Sequence, residues 1–170
     1  MKRNKVLDNI QIKSKLDRIA RQLLEDNFNE TELVLMGIEG EGYEVAIRLE
    51  KILQSISKLP VRFESIRLNK KNPLSAKISS SYEADSLKGK VVIIIDDVLN
   101  SGKTMIHAVK HVLESDPKSI FTVALIDRTH RSFPVRADFS GLSLATHVDQ
   151  HISVKLNAKS PEKDAVYLEF

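Results

Sequence analysis

The stretch Val91–Thr104, VVIIIDDVLNSGKT, decides how the rest of the chain is read. Five consecutive β-branched residues, Val91 to Ile95, run into the carboxylates Asp96 and Asp97. A purely apolar run of this length suits a parallel strand buried on both faces, which puts the polar turn Asn100-Ser101-Gly102-Lys103-Thr104 at its carboxyl end. In open α/β sheets that edge is where ligands bind. Helical periodicity begins at Lys103, so the turn also sits at a helix N-terminus. Two acids beside such a turn suit a molecule with vicinal hydroxyls and a phosphate. The acids accept hydrogen bonds from the hydroxyls, and free N–H groups with the helix dipole hold the phosphate.

Gly102-Lys103-Thr104 also spells the end of a nucleotide P-loop. That motif needs a glycine five positions before Gly102, where the backbone wraps phosphates. Asp97 stands there instead, a charge that would repel a triphosphate. The P-loop reading fails.

Outward from this segment, strand and helix patterns alternate. Ile12, Leu16, Ile19, Leu23 and Leu24 make one stripe of a helix over 12–28, with Lys13, Arg18 and Arg21 opposite. Leu33–Gly37 reads as a short buried strand, followed by the loop Glu39-Gly40-Glu41-Gly42 and a helix over about 43–57. Val61–Leu68 has the alternation of a half-exposed strand. After the helix Lys103–Leu113 comes a strand at Ser119–Ile126, then short β-like segments at Val135–Phe139, Leu142–Ala145, Ile152–Leu156 and Val166–Phe170. Strands alternating with helices predict an α/β fold with a central, mostly parallel sheet flanked by helices. Residues 69–89, rich in Lys, Ser and Asn, read as a flexible lid loop.

With 170 residues the chain fits one domain, 1–170, large enough to bury a core unaided. The absence of cysteine excludes disulfides, thiolate nucleophiles and Cys-based zinc sites. No apolar stretch suits a signal peptide or approaches the roughly 20 residues of a membrane span, so a cytoplasmic location is expected. The balance of 26 basic against 23 acidic residues, net +3, does not demand a nucleic-acid partner. The basic face Lys13, Lys15, Arg18 and Arg21 leaves RNA contact open without favouring it, because a solvated helix face looks the same. His107/His111 and His147/His151 have i, i+4 spacing but no H-E-x-x-H context for zinc.

An apolar strand, two acids and a small-residue turn resemble the phosphoribosyl-diphosphate (PRPP) signature of the type I phosphoribosyltransferases. Asp127-Arg128-Thr129-His130-Arg131 and Pro134-Val135-Arg136-Ala137-Asp138-Phe139 sharpen the resemblance. They resemble the pyrimidine-operon attenuators that also act as uracil phosphoribosyltransferases, in which such a stretch follows the signature at the same interval. This resemblance implies the type I fold with a lid and a small C-terminal hood, placing the hood and base-binding region at 127–170. It also implies Mg²⁺ as cofactor, PRPP and a nucleobase as ligands, and a homo-oligomer. Asp96 and Asp97 would act in catalysis and hold the ribose hydroxyls directly or through Mg²⁺. Asn100, Ser101, Gly102, Lys103 and Thr104 would cradle the 5′-phosphate, and Glu39, Gly40, Glu41 and Gly42 would be the pyrophosphate loop. Arg128 would hydrogen-bond the base and Phe139 would lie against its face.

The implied activity is transfer of phosphoribose from Mg²⁺-PRPP to a base, uracil, in nucleotide salvage. The alternative is an RNA-binding pyrimidine-operon regulator that senses nucleotides in a PRPP-type pocket with weak or no catalysis. Three departures bear on the choice. The pyrophosphate loop carries Glu39 and Glu41 where a basic residue is usual, so Glu41→Arg should tighten PRPP binding if Glu41 faces the pocket. The lid shows Leu68-Asn69-Lys70-Lys71 in place of a Tyr-Arg-Asp-Asp run. Asn100 stands where purine-specific relatives carry a carboxylate, which weighs against a purine because an amide cannot act as a base.

Overall fold

In the computed structural model, which describes residues 2–147 and 149–170, strand β1 (Arg3–Asp8) leads into helix α1 (Asn9–Asp26). Then come β2 (Leu33–Ile38), α2 (Glu41–Ile56), β3 (Val61–Arg67), the two-residue β4 (Ser79–Ser80), β5 (Val91–Leu99) and α3 (Lys103–Leu113). The chain continues through β6 (Ser119–Arg128), β7 (Phe139–Leu144), β8 (His151–Lys155) and β9 (Ala165–Glu169). The main sheet has the order β4-β3-β2-β5-β6-β7 and is parallel except at the edge strand β4. A second, antiparallel sheet, β1-β9-β8, forms the hood.

Pleating divides the core in two. Leu35, Ile93, Ile95 and Leu125 face Leu16, Leu23 and Leu49 of α1 and α2, while Met36, Val92, Ile94 and Ala124 face Met105, Ala108 and Val112 of α3. With helices on both faces, β5 needs apolar residues at every position, hence the unbroken run Val91–Ile95. Among the described residues no helix is long and apolar enough to cross a membrane.

Several boundaries differ from those expected. Helix α1 starts at Asn9 because Asp8 and Gln11 form a capping box: Gln11 N donates to Asp8 Oδ1 (2.8 Å) and Asp8 N to Gln11 Oε1 (3.0 Å). The pyrophosphate loop shrinks to Glu39-Gly40, since Glu41 and Gly42 already belong to α2. β5 extends past both acids to Leu99. Residues 135–138 are not a strand: the Asp138 carboxylate accepts from Thr122 N (2.8 Å), and β7 begins only at Phe139. β7 joins the main sheet, so the hood is narrower than 127–170 and takes in β1. Within 69–89, β4, a 3₁₀ turn at Ala84–Leu87 and the fully buried Leu87 tie the segment down.

Helix α2 touches β5 at Gly42. A Cβ there would lie 2.8 Å from Asp96 Oδ1, 2.9 Å from Asp96 Cα and 3.0 Å from Ile95 O. Only glycine permits that approach. Gly42→Ala is therefore expected to destabilise the fold by about 1–3 kcal/mol, read as a lower Tm. An unchanged Tm would show that α2 shifts without cost.

Candidate functional site

A cleft of about 610 Å³ opens at the carboxyl ends of β5 and β6, roofed by β8. It brings together Asp96, Asp97, Asn100, Ser101, Lys103, Thr104 and Arg128, which lie up to 32 positions apart in sequence. Lys70 and His151–Val154 also line it.

At one end stand the acids. Asp96 is buried within β5, and its Oδ1 accepts from Lys70 Nζ (2.8 Å) and from Asp97 N (3.0 Å). Lys70 Nζ also lies 3.5 Å from Asp97 Oδ1. Burial, and then the charge of Asp97, pushes Asp96 up to about 8 against the pull of Lys70. Burial opposes the charge on Lys70, but the two acids outweigh it and hold the ammonium above the ordinary lysine range. Burial drives the first shift and the two acids the second, and in both the corner retains protons. The acids fit a divalent ion poorly for the same reason. Their negative charge already has a cation, and among the described residues no cluster of three His, Cys, Asp or Glu could hold a metal.

The turn after β5 is the expected phosphate subsite. Gly102 caps α3 in the left-handed region (φ 85°), and a Cβ on it would meet Val135 Cγ1 at 2.7 Å. Ser101 O accepts from Ser132 N (2.9 Å) and Phe133 N (3.1 Å), so the loop after β6 braces the turn. The first turn of α3 contains no acid and begins with Lys103. The partial positive charge of the helix end is thus reinforced.

At the other end lies Arg128, 8% exposed at the end of β6. Its Nε donates to Thr146 Oγ1, Nη1 to Asn100 Oδ1 (2.8 Å) and Nη2 to the His147 carbonyl (2.7 Å). A guanidinium has five N–H donors, so this three-point clamp leaves one on each terminal nitrogen for a ligand. Thr146 had no sequence signal, because its role exists only once β7 has returned beside β6. Arg131 donates to both Asp127 oxygens (2.8 and 2.6 Å). Phe139 stands apart from the cleft. It packs on Phe121 (centroids 5.9 Å apart) against the core on the α1 side. The apolar surface near Arg128 comes from Ile152 and Val154 of the hood.

The acidic loop is turned away from a common centre. Glu39 pairs with Arg67 (2.8 Å) at the surface. Glu41 Oε2 accepts from Leu156 N (3.2 Å), latching α2 to the hood. Burial raises its pKa; the Leu156 bond opposes this, and the Asp97 charge adds to it. Glu41→Arg is accordingly expected to leave PRPP binding no tighter, because the carboxylate it removes serves the hood. Calorimetric titration checks this, and a clear gain in affinity would restore the pocket-facing reading.

The remaining constellations are structural. Arg18 donates to the carbonyls of Ser140 (2.9 Å) and Gly141 (2.8 Å), and Arg21 lies 3.7 Å from Asp17. The basic face of α1 is thus partly consumed within the fold. His111 Nε2 contacts Ser80 Oγ (3.3 Å), while His151 edges the cleft.

Comparison with known proteins agrees with this geometry. Residues 2–159 match the phosphoribosyl transferase domain family. The bifunctional protein PyrR of Staphylococcus saprophyticus is 34% identical over 171 residues, covering 96% of this chain and 97% of that protein. The pyrimidine operon regulatory protein of Lactococcus lactis is 31% identical over 159 residues, covering 92% of each. Among solved structures, a Trypanosoma cruzi hypoxanthine phosphoribosyl transferase, studied for the role of its C-terminal region in oligomeric state and activity, superposes with a TM-score of 0.76. It is 19% identical, and the match covers 98% of this chain and 91% of that one. A hypoxanthine-guanine phosphoribosyltransferase of Bacillus anthracis gives 0.72 at 21% identity, covering 88% and 86%. At these identities the structures speak for the fold.

Proposed function

Because the chain belongs to the phosphoribosyl transferase domain family, we propose that its cleft binds PRPP and transfers the phosphoribosyl group to uracil, a nucleotide-salvage reaction. The bond from ribose C1 to the diphosphate breaks, a bond from C1 to uracil N1 forms, and the N1 proton leaves. Asp96 and Asp97 hold the ribose hydroxyls, and Asn100 to Thr104 hold the 5′-phosphate. Catalysis then rests on positioning and on stabilising an oxocarbenium-like sugar. Mg²⁺, which the family uses with PRPP, supplies charge neutralisation of the diphosphate when bound. A cytoplasmic homo-oligomer completes the proposal.

The clamp on Arg128 carries this reading. Arginine only donates, so the base must present acceptors at that end, as the uracil carbonyls do. Asn100 is committed to Arg128, and no carboxylate takes its place to receive a purine N–H. The expected result of incubating the protein with Mg²⁺-PRPP and equal uracil, hypoxanthine and guanine is uridine monophosphate as the main nucleotide. A dominant purine nucleotide refutes the assignment.

One observation favours a second reading, a nucleotide-sensing regulator of pyrimidine genes with RNA as partner and little catalysis. The first turn of α2, next to the expected diphosphate subsite, carries Glu41 and Glu44 and follows Glu39. Arg67, Leu156 N and Arg48 engage these carboxylates, so the segment offers the diphosphate no cation of its own. Nucleotide binding without product from any base would select this reading.

A further inference from the structure

We propose that Lys70 is the built-in cation of the Asp96–Asp97 pair, taking the charge-balancing place of a divalent metal, so that ribose binding at the pair needs no added metal. The contact is a delivered one. Asn69 Oδ1 accepts from Lys71 N and Asn72 N (both 3.1 Å), and Asn69 Nδ2 donates to Ser75 Oγ (3.1 Å), which fixes the backbone around Lys70. Lys103 Nζ donates to Lys71 O (3.4 Å), tying the same loop to the phosphate turn. Leu68, two positions before Lys70, is buried in the core on the α3 side. The ammonium is therefore presented by a braced segment.

The acceptor side is equally constrained. Asp96 Oδ1 already serves Lys70 and Asp97 N, and α2 at Gly42 packs directly behind that carboxylate. A hard cation such as Mg²⁺ seeks six oxygen ligands in near-ideal geometry. Here it would meet two carboxylates and an ammonium that repels it. Both Lys70 contacts use Oδ1 atoms, so this ammonium leaves the Oδ2 atoms of both acids unengaged. With the ammonium offsetting one of the two carboxylates, the pair can accept hydroxyls without a metal.

Two measurements test this. In the first, Mn²⁺ alone is titrated into ligand-free protein and followed by electron paramagnetic resonance, for wild type, Lys70→Met and Lys70→Gln. Both variants should bind Mn²⁺ roughly tenfold more tightly than wild type, since the competing ammonium is gone. Equal affinities overturn the proposal. Lys70 lies on a surface loop, and a thermal melt of each variant confirms the fold. The second arm rests on the functional reading above: ribose 5-phosphate is titrated calorimetrically into wild type with Mg²⁺ and then with EDTA. Affinities equal within about twofold are expected, and loss of binding in EDTA overturns the metal-free claim. Failure of ribose 5-phosphate to bind in either buffer counts against the sugar assignment, while the Mn²⁺ comparison still decides the role of Lys70.

Discussion

Replacing Asp96 and Asp97 together by asparagine is expected to weaken ribose 5-phosphate binding by about 3 kcal/mol or more, which is loss of binding in practice. At about pH 9, where both carboxylates are ionised, each acceptor bonded to a sugar hydroxyl contributes about 1.5–3 kcal/mol, and the variant removes both. Ribose 5-phosphate is the better probe here than PRPP, because Lys70, released from the acids, would be drawn to the diphosphate and mask part of the loss. The fold should survive. Asp96 has an ordinary carboxylate value near 3.8 in the unfolded chain and about 8 in the folded one. Between those values the native state binds more protons than the unfolded state, so stability falls as pH rises through this window. The asparagine variant lacks that slope. Thermal melts between pH 5 and 8 read it directly, and calorimetry that finds unchanged sugar affinity would remove the acids from the site.

Arg128→Lys is the second large effect. Lysine keeps the charge but not the planar fork, so it cannot bond Thr146, Asn100 and the His147 carbonyl while also presenting two parallel N–H groups. Uridine monophosphate affinity is expected to fall by about 2–4 kcal/mol. Ribose 5-phosphate, which has no base, should bind as before. The difference between the two titrations isolates the base subsite from any general loosening. Equal losses for both ligands would make Arg128 a structural residue only.

Much of this site was legible in sequence because its chemistry is local. The strand, the acids, the turn and the helix start of Val91–Thr104 lie within one contiguous stretch, and each has a one-dimensional signature. The roles of Lys70, Thr146 and Glu41 were not legible, since each depends on a partner from another element: Asp96, Arg128 and Leu156. Phe139 shows the opposite failure. The family resemblance makes it a base platform, yet pleating at the start of β7 packs it against the core with Phe121. β1 has no strand signature because RNKVLD is largely polar and half exposed, and it becomes a strand by pairing with β9. Local propensity says little about such an edge.

That pairing has a consequence for the order of assembly. β1 meets β9 with Arg3 opposite Glu169 and Asp8 opposite Ala165, while β8 reaches this sheet only through β9. Contacts so distant along the chain carry the largest loop-closure entropy and consolidate late in folding. The central strands β2, β5 and β6 can therefore be in place, acids and phosphate turn included, before a roof exists over Arg128. A ligand then meets a half-built cleft whose last wall is the least protected unit of the fold. Binding would draw its stabilising effect chiefly from suppressing local opening of that wall.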